Sequence, residues 1–574
     1  MEDMILDRPS SSNETSDRIS QLPEHIILRI LFFLPAKDAA RSSILSKTWL
    51  PLWKSLPIFS FSSDTFSRKA NLLKQDASFD AEADGYMDLI EKSLEKLRDH
   101  KLLIKRFQLD LFKSHERHYS QFNQFMELAN RNQIEKLVVH GLVSDQNQER
   151  PSLPLATFAS TNSFRVLDLK NSVLTPEILK DEPRFPCLQK LSLFRVELSG
   201  MDQMLENMLA NCPLLKNFSL VRCRVEHVKL VDHPKLNNVM IQGVPFIRIE
   251  AKSLRKFHCV YRGNKPLELH LVSCENLQVL NLRTRFTSEY IQEMVSKSPL
   301  LRTLILSPYI SFERLKISSP SLLVLVICAA ERGVDEKEIE IDAPNLERYR
   351  FSVAKGKTAA TPVFINSARL QVAELSKHLF PPDIPSQWFI HLMNCLPSFE
   401  YNVLRISVWH DMTNKDTVLE SLRQISAAPV YLDVLSFIVC LRSFDFAAFF
   451  DCCFWICRPK MIIIKITCEN TADLEDQLQR VKLIPREENP ACCRNSQRKC
   501  WQHYLADVKP LKAIKMKDDK YVRNCHDNGI ALTSSEVEVI AIQLEWKMTG
   551  QKRNHRWVSS QNLFEEHRFQ FMLR

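Results

Sequence analysis

The chain has 574 residues, 45% apolar and 25% charged, with 77 Lys and Arg against 68 Asp and Glu for a formal net charge of +9. These proportions suit several globular domains or one long repeat array, and no Lys/Arg run concentrates the charge into a nucleic-acid footprint. Nine glycines leave little for phosphate-cradling loops, and sixteen scattered cysteines behind a polar, acidic N-terminus without a signal peptide point to a reducing compartment, nucleus or cytoplasm.

Residues 1–16 are rich in Ser, Asp and Glu, lack periodicity and read as disordered. Apolar residues then crowd into 17–61. After Leu22 and Pro23, the set Ile26, Ile27, Ile30, Leu31 and Leu34 recurs at three-to-four-residue spacing, one face of a helix that Pro35 stops. A second set, Leu45, Trp49, Leu52, Trp53 and Leu56, follows a short piece from Lys37 to Ser43, so two or three small helices bring both sets onto one surface. Pro51 breaks a helix interior, so either a helix starts at Trp49 behind a Thr48 cap or it bends there. A unit this short leans on a partner or a neighbouring domain.

Residues 62–103 form a polar connection and then an amphipathic helix marked by Tyr86, Ile90, Leu94 and Leu97. From 104 to about 470 an L-x-x-L-x-L strand repeats. Clear copies start at Phe164, Leu188, Leu215, Leu236, Leu254, Leu277, Leu301, Leu322 and Leu346, at steps of 18 to 27 residues, with fainter ones from Ile104, Ile134 and Leu370 and around Leu404. Pro186, Pro213, Pro234, Pro299, Pro320 and Pro344 each stand two residues before a repeat's first apolar position, ending the incoming segment and launching a strand. One repeat cannot bury its apolar side, so neighbours stack into a solenoid. Alternation turns the second and third apolar residues of each strand inward and the intervening ones to the other, concave face: Asp168, Lys170, Ser192, Phe194, Ser219, Asn281, Arg283, Ile305 and Arg350.

Beyond about Cys440 the period dissolves. Met461 to Ile466 is a buried-strand candidate, and Ile540, Ile542, Leu544 and Trp546 alternate as a half-buried strand. Residues 471–574 read as an irregular cap closing the array. The apolar stretch Val434 to Cys457 is interrupted by Arg442, Asp445 and Asp451, so no membrane span is expected.

The segment around Asp17-Arg18-Ile19, Leu22-Pro23, Ile30-Leu31, Leu34-Pro35, Lys37, Ala40, Leu45-Ser46-Lys47, Trp49 and Leu52-Trp53 resembles the F-box, in the form common in plants. The array resembles the irregular leucine-rich repeats that follow it in many plant receptors, and CWQHYLADVK resembles a recurrent C-terminal segment of such proteins. The fold implied is α/β: a small helical F-box, a leucine-rich-repeat solenoid with parallel strands on the concave face, and an irregular cap. The function implied is that of a substrate receptor in a cullin-RING (SCF-type) ubiquitin ligase. Leu22, Pro23, Ile26, Ile27, Ile30, Leu31, Leu34, Pro35, Leu45, Trp49 and Trp53 would then form the surface for a Skp-type adaptor, or its immediate support, helix against groove. Through that adaptor the chain would reach a cullin, while the concave face holds a target protein. Alternatives are a scaffold that directs no degradation and, by analogy only, a small-molecule co-receptor.

Little in the sequence asks for catalysis, and no cofactor is expected. Gly356-Lys357-Thr358 ends like a phosphate loop, but Phe351 stands where that loop needs its first glycine. Cys492, Cys493, Cys500 and His503 lack the C-x-x-C pair of structural zinc, and His115 and His118 are one residue short of metalloprotease spacing. No nucleic-acid or membrane partner is expected.

Overall fold

A computed structural model describes residues 22–34, 36–42, 44, 49–55, 58–61, 105–111, 134–141, 152–154, 163–175, 185–198, 202–307, 314–329, 338–353, 363–367, 369–370, 372–377, 403–408, 420, 429–439, 446–467, 474, 500–517 and 536–547. The expected disordered N-terminus and the amphipathic helix of the linker lie outside these residues. The chain divides into two compact units, Met1–Ala251 and Lys252–Arg574.

The first unit opens with three helices, α1 (Glu24–Phe33), α2 (Ala36–Ser42) and α3 (Trp49–Lys54). Strands follow as β1 (Ile58–Phe61), β2 (Arg106–Leu111), β3 (Lys136–Gly141), β4 (Ser152–Pro154), β5 (Val166–Lys170), β6 (Val173–Thr175) and β7 (Lys190–Phe194). Helix α4 (Asp202–Ala210) precedes β8 (Asn217–Val221), β9 (His227–Val231), β10 (Asn238–Gln242) and β11 (Phe246–Glu250). The ladder β1-β2-β3-β5-β7-β8-β10 is parallel throughout. The pairs β4–β6 and β9–β11 form a second layer.

The second unit continues with β12 (Lys256–Val260), β13 (Glu268–Val272), β14 (Val279–Arg283), helix α5 (Ser288–Ser296), β15 (Thr303–Leu306), β16 (Arg314–Ser318) and β17 (Val324–Ala329). Then come β18 (Glu338–Asp342), β19 (Arg348–Val353), β20 (Val363–Asn366), β21 (Val372–Lys377), β22 (Val403–Val408) and β23 (Val430–Val439). Helix α6 (Phe446–Ile456), β24 (Cys457–Thr467), β25 (Leu505–Lys517) and β26 (Glu536–Trp546) complete it. Here β12-β14-β15-β17-β19-β21-β22-β23-β24 is a parallel ladder. Antiparallel β26 lies on β24, and antiparallel β25 on β26. The fold is the expected one: short N-terminal helices, a parallel solenoid and a mixed C-terminal sheet.

Each repeat is built from two apolar residues per ladder strand, such as Leu191 and Leu193 or Leu304 and Leu306, essentially without exposure. Full burial of each such side chain contributes roughly 1.5–3 kcal/mol. The first apolar residue of the motif is equally buried but is not in the strand, which corrects the simple L-x-x-L-x-L reading. It closes a tight turn: Leu188, Leu215, Leu236, Leu301 and Leu346 donate their N–H to the carbonyls of Phe185, Cys212, His233, Ser298 and Ala343. The punctuating prolines therefore occupy the second turn position, where a fixed φ is an advantage. Leu277 makes the same bond to Cys274 without a proline, so the ring favours the turn but is not required.

Leaving the strand needs a second device. Asn171, Arg195, Arg222, Asp232 and Ser273 have φ between 50° and 62°, and Gly243 has φ 91°, each one residue past a strand. The glycine-poor sequence thus meets the left-handed turn with one glycine, with Asn171 and Asp232, which tolerate it, and with Arg195, Arg222 and Ser273, which do not favour it. The second layer is edged by helices. Gln292 of α5 accepts from the Ser318 N–H at 2.9 Å, and Ser288 Oγ accepts from the Lys316 N–H at 3.1 Å, satisfying a strand edge otherwise open to water. In the first unit Asp202, at the start of α4, accepts from the Glu226 N–H in the same way.

The C-terminal sheet departs from expectation in one respect. Ile540, Ile542 and Leu544 of β26 are buried, but so are Glu538, Val539 and Ala541, so its first half is covered on both faces and is not half-wet. Helix α6 is buried nearly all round, as its apolar composition demands. The CWQHYLADVK segment covers it: Trp501 donates to Asp451 Oδ1 at 2.9 Å and meets the Phe454 ring edge-on at 4.8 Å. Arg458 fills an adjoining aromatic cage, 3.9 Å from the Tyr504 ring centroid and donating to the Tyr431 hydroxyl at 2.9 Å. Among the described residues, no helix is long and apolar enough to cross a membrane.

Candidate interaction surfaces

The helical module owes its shape to two prolines. Leu34 is extended (φ −75°, ψ 149°), as a residue before proline prefers, and α1 ends at Phe33. Pro35 itself lies outside the described residues. Pro51 sits in the first turn of α3, where its missing N–H would have had no helical partner, and its carbonyl still accepts from Ser55 at 3.0 Å. The helix therefore starts at Trp49 and does not break; Thr48 lies outside the described residues.

The predicted adaptor residues divide by burial. Ile27, Leu31 and Trp49 form the module's own core with Ala39 and Leu52, and Leu22, Leu34 and Trp53 pack against that core half-buried. Ile26 is half-buried and Pro23 exposed. Ile30 is exposed at 38%, and so are two apolar residues outside the predicted set, Ile44 at 85% and Leu50 at 41%. Leu45 lies outside the described residues. Spacing alone put Ile27 and Leu31 in one set with Ile30, because a face one turn-step wide cannot separate neighbours 100° apart.

The module continues straight into the ladder. Strand β1, four residues after α3, pairs in parallel with β2 from Ile58↔Arg106 to Phe61↔Leu109. The chain thus supplies the first rung itself, a link that lay hidden because 44 residues separate the two strands in sequence.

On the ladder face, every predicted residue of the row stands at an intervening strand position and is half-buried or exposed. In the first unit Asp168, Ser192 and Ser219 lie side by side in register, and Lys170 and Phe194 form the next row. Arg106, Lys136 and Lys190, which were not singled out, join the same face. Burial, then the nearby Arg106 and Lys190 charges, lower the Lys136 pKa against the pull of Asp168. His140 Nδ1 stands 3.4 Å from the buried Asp110 carboxylate. In the second unit Asn281, Ile305 and Arg350 share one row through Val326, and Arg283 flanks it. Asn281 Nδ2 lies 3.3 Å from His258 Nδ1. Burial, then Lys256 and Arg283, lower the His258 pKa.

Among the described residues no three His, Cys, Asp or Glu side chains group as metal ligands. Cys492, Cys493, His115, His118 and Gly356 lie outside the described residues, whereas Phe351 is in β19, as expected. The buried thiols are inert: burial pushes Cys212, Cys259 and Cys457 up to about 12.

A short helical module feeding a parallel leucine-rich ladder is the architecture of an F-box protein with leucine-rich repeats, and comparison with known proteins agrees. The F-box domain model matches residues 19–61. The model described as "FBD-associated F-box protein At5g56370, LRR repeats" matches 122–244 and 244–373. The chain is an F-box domain followed by FBD-associated leucine-rich repeats. Its relatives in Arabidopsis thaliana include the "FBD-associated F-box protein At5g27750", 27% identical over 46% of this chain and 54% of the relative. The "Putative F-box/FBD/LRR-repeat protein At4g00315" is 31% identical over 37% of this chain and 44% of the relative. The "F-box/LRR-repeat protein At3g26922" is 24% identical over 56% and 86%. The matches span about half the length of the first two relatives.

Proposed function

We propose that the chain is the target-binding subunit of a cullin-RING ubiquitin ligase, its helical module held by a Skp-type adaptor and its ladder face holding a target protein. The observation that carries this reading is the pairing of β1 with β2. A module that docks on an adaptor is joined to a recognition ladder by a strand, which limits the bending a loop would allow. Ubiquitin transfer by such a ligase depends on holding a target's lysines near a charged conjugating enzyme, so a stiff connection raises effective concentration. The chain itself supplies proximity and no nucleophile. Ile30, Ile44 and Leu50 are the apolar contacts available to the adaptor, and Ile27, Leu31 and Trp49 support them from inside.

The test is co-purification of the full chain with the adaptor and a cullin, followed by ubiquitylation of captured partners. Ile30→Asp with Leu50→Asp is expected to weaken adaptor capture at least ~30-fold, as loss of about 2 kcal/mol at an interface centre does, while the chain's thermal melt is unchanged. Leu31→Asp or Trp49→Asp instead collapses the module, so either makes a poor probe of the surface. Adaptor binding without cullin recruitment would sink the ligase reading and favour a scaffold that directs no degradation.

A further inference from the structure

The ladder face of the second unit carries a charge pattern that narrows its partner. Over five successive strands two rows are in register. One runs Lys256, Val279, Thr303, Val324, Arg348, and the other His258, Asn281, Ile305, Val326, Arg350. Cations stand at both ends of the two rows, Arg283 on β14 stands beside the first end, and within the two rows the three middle strands offer only neutral and apolar side chains. No Asp or Glu occurs in either row across these strands; the first is Glu374, paired to Arg350 on β21. Lys256, Arg283 and Arg348 are exposed, and among the described residues none of them has an ion pair. His258, 3.3 Å from Asn281 Nδ2, has its pKa lowered by burial first and by Lys256 and Arg283 second.

We propose that this face docks an extended segment of a target protein with carboxylates at both ends and apolar side chains between. The proposal rests on reading the ladder face as the target-binding face. Neighbouring strands lie about 4.8 Å apart, so β12 and β19, four steps away, are separated by roughly 19 Å. An extended peptide rising ~3.3 Å per residue bridges that distance in about six residues. Ile305, Val324 and Val326 then form the floor for its middle. A single small anion cannot reach both ends. A nucleic-acid strand carries charge throughout and would need cations along the whole span, whereas β15 and β17 carry none. The first unit's face differs: Asp110 and Asp168 lie among its cations, so it lacks this acid-free span.

The experiment uses the full chain and a fluorescent eight-residue peptide with paired glutamates at each end of four valines and leucines, read by anisotropy. The same peptide with lysines for glutamates, and a single-stranded oligonucleotide, are the other probes. The glutamate peptide is expected to bind, and Lys256→Glu with Arg348→Glu to weaken it by about tenfold or more, as charge reversal at complementary positions does. Ile305→Asp is expected to weaken it as well. Equal binding of the lysine peptide or the oligonucleotide, no binding of the glutamate peptide, or indifference to the reversals would overturn the proposal. Adaptor co-purification of the same variants keeps the two readings apart: peptide failure with adaptor retained removes this inference alone, and adaptor failure with peptide binding removes only the ligase reading.

Discussion

Ile305 and Ile463 occupy the same row of one ladder, six strand steps apart, and have opposite fates. The row runs in register from Ile305 through Val326, Arg350, Glu374, Arg405 and Ser436 to Ile463. Ile305 is half-buried on a ladder face, whereas Ile463 is fully buried in a cluster with Val434, Met461, Val539 and Ala541. Backbone pairing is alike in both regions; what differs is whether the second face is covered. A repeat strand is free to vary on one face, which is where recognition can be written. A C-terminal strand buried on both faces must be apolar nearly throughout, so the leucine motif dissolves there even though the ladder goes on.

The largest effect that tests this contrast is a charge placed at each end of the row. Ile463→Asp strands a carboxylate in a sheet covered on both sides, at a cost of several kcal/mol, and is expected to leave the second unit unfolded by circular dichroism and readily proteolysed. Ile305→Asp should cost about 1 kcal/mol or less, in keeping with a surface position, and retain the native spectrum. Equal losses from the two would break the distinction between one-faced and two-faced burial.

A smaller effect concerns the face that both regions share. Leu304 is wholly buried beside Ile305, and Leu304→Ala is expected to cost about 3 kcal/mol in urea unfolding, from lost transfer energy and the cavity left behind. A loss below about 1 kcal/mol would mean that the repeat core collapses around the gap and is not close-packed.

The smallest effect is a pH dependence in the first unit. His233, buried at the turn position before Pro234, has its pKa lowered by burial below the ordinary 6.5. The unfolded chain then binds the proton more readily than the folded one, so stability is fully present above about pH 6.5 and is lost as pH falls toward the folded value. The melting temperature should drop over that window, and His233→Gln should reduce the slope; an unaltered slope in the variant would assign the effect elsewhere.

Much of this architecture is legible in the residues alone, for a definable reason. One-sided burial leaves a local trace, so the alternating apolar pairs and the residues between them could be sorted to two faces within six residues. The prolines marked the turns for the same reason, since a fixed φ acts within its own residue and its predecessor. Pro51 was ambiguous because its effect depends on where the helix begins, and only the fold places that start at Trp49. The division of Ile27 and Leu31 from Ile30 likewise needed α3 in place, because a helix separated from α1 by 15 residues decides which side of α1 is inside.

The sequence by itself determined the period, the punctuation and the helical module, because each rests on contacts or torsions within a few residues. Tertiary structure decided what no short window contains: that β1 becomes the first rung against β2, that the Trp501 segment packs on α6, and that cations from β12 and β19 bracket an acid-free floor. Those features arise from strands brought side by side across tens of residues, where register rather than local pattern selects the neighbours.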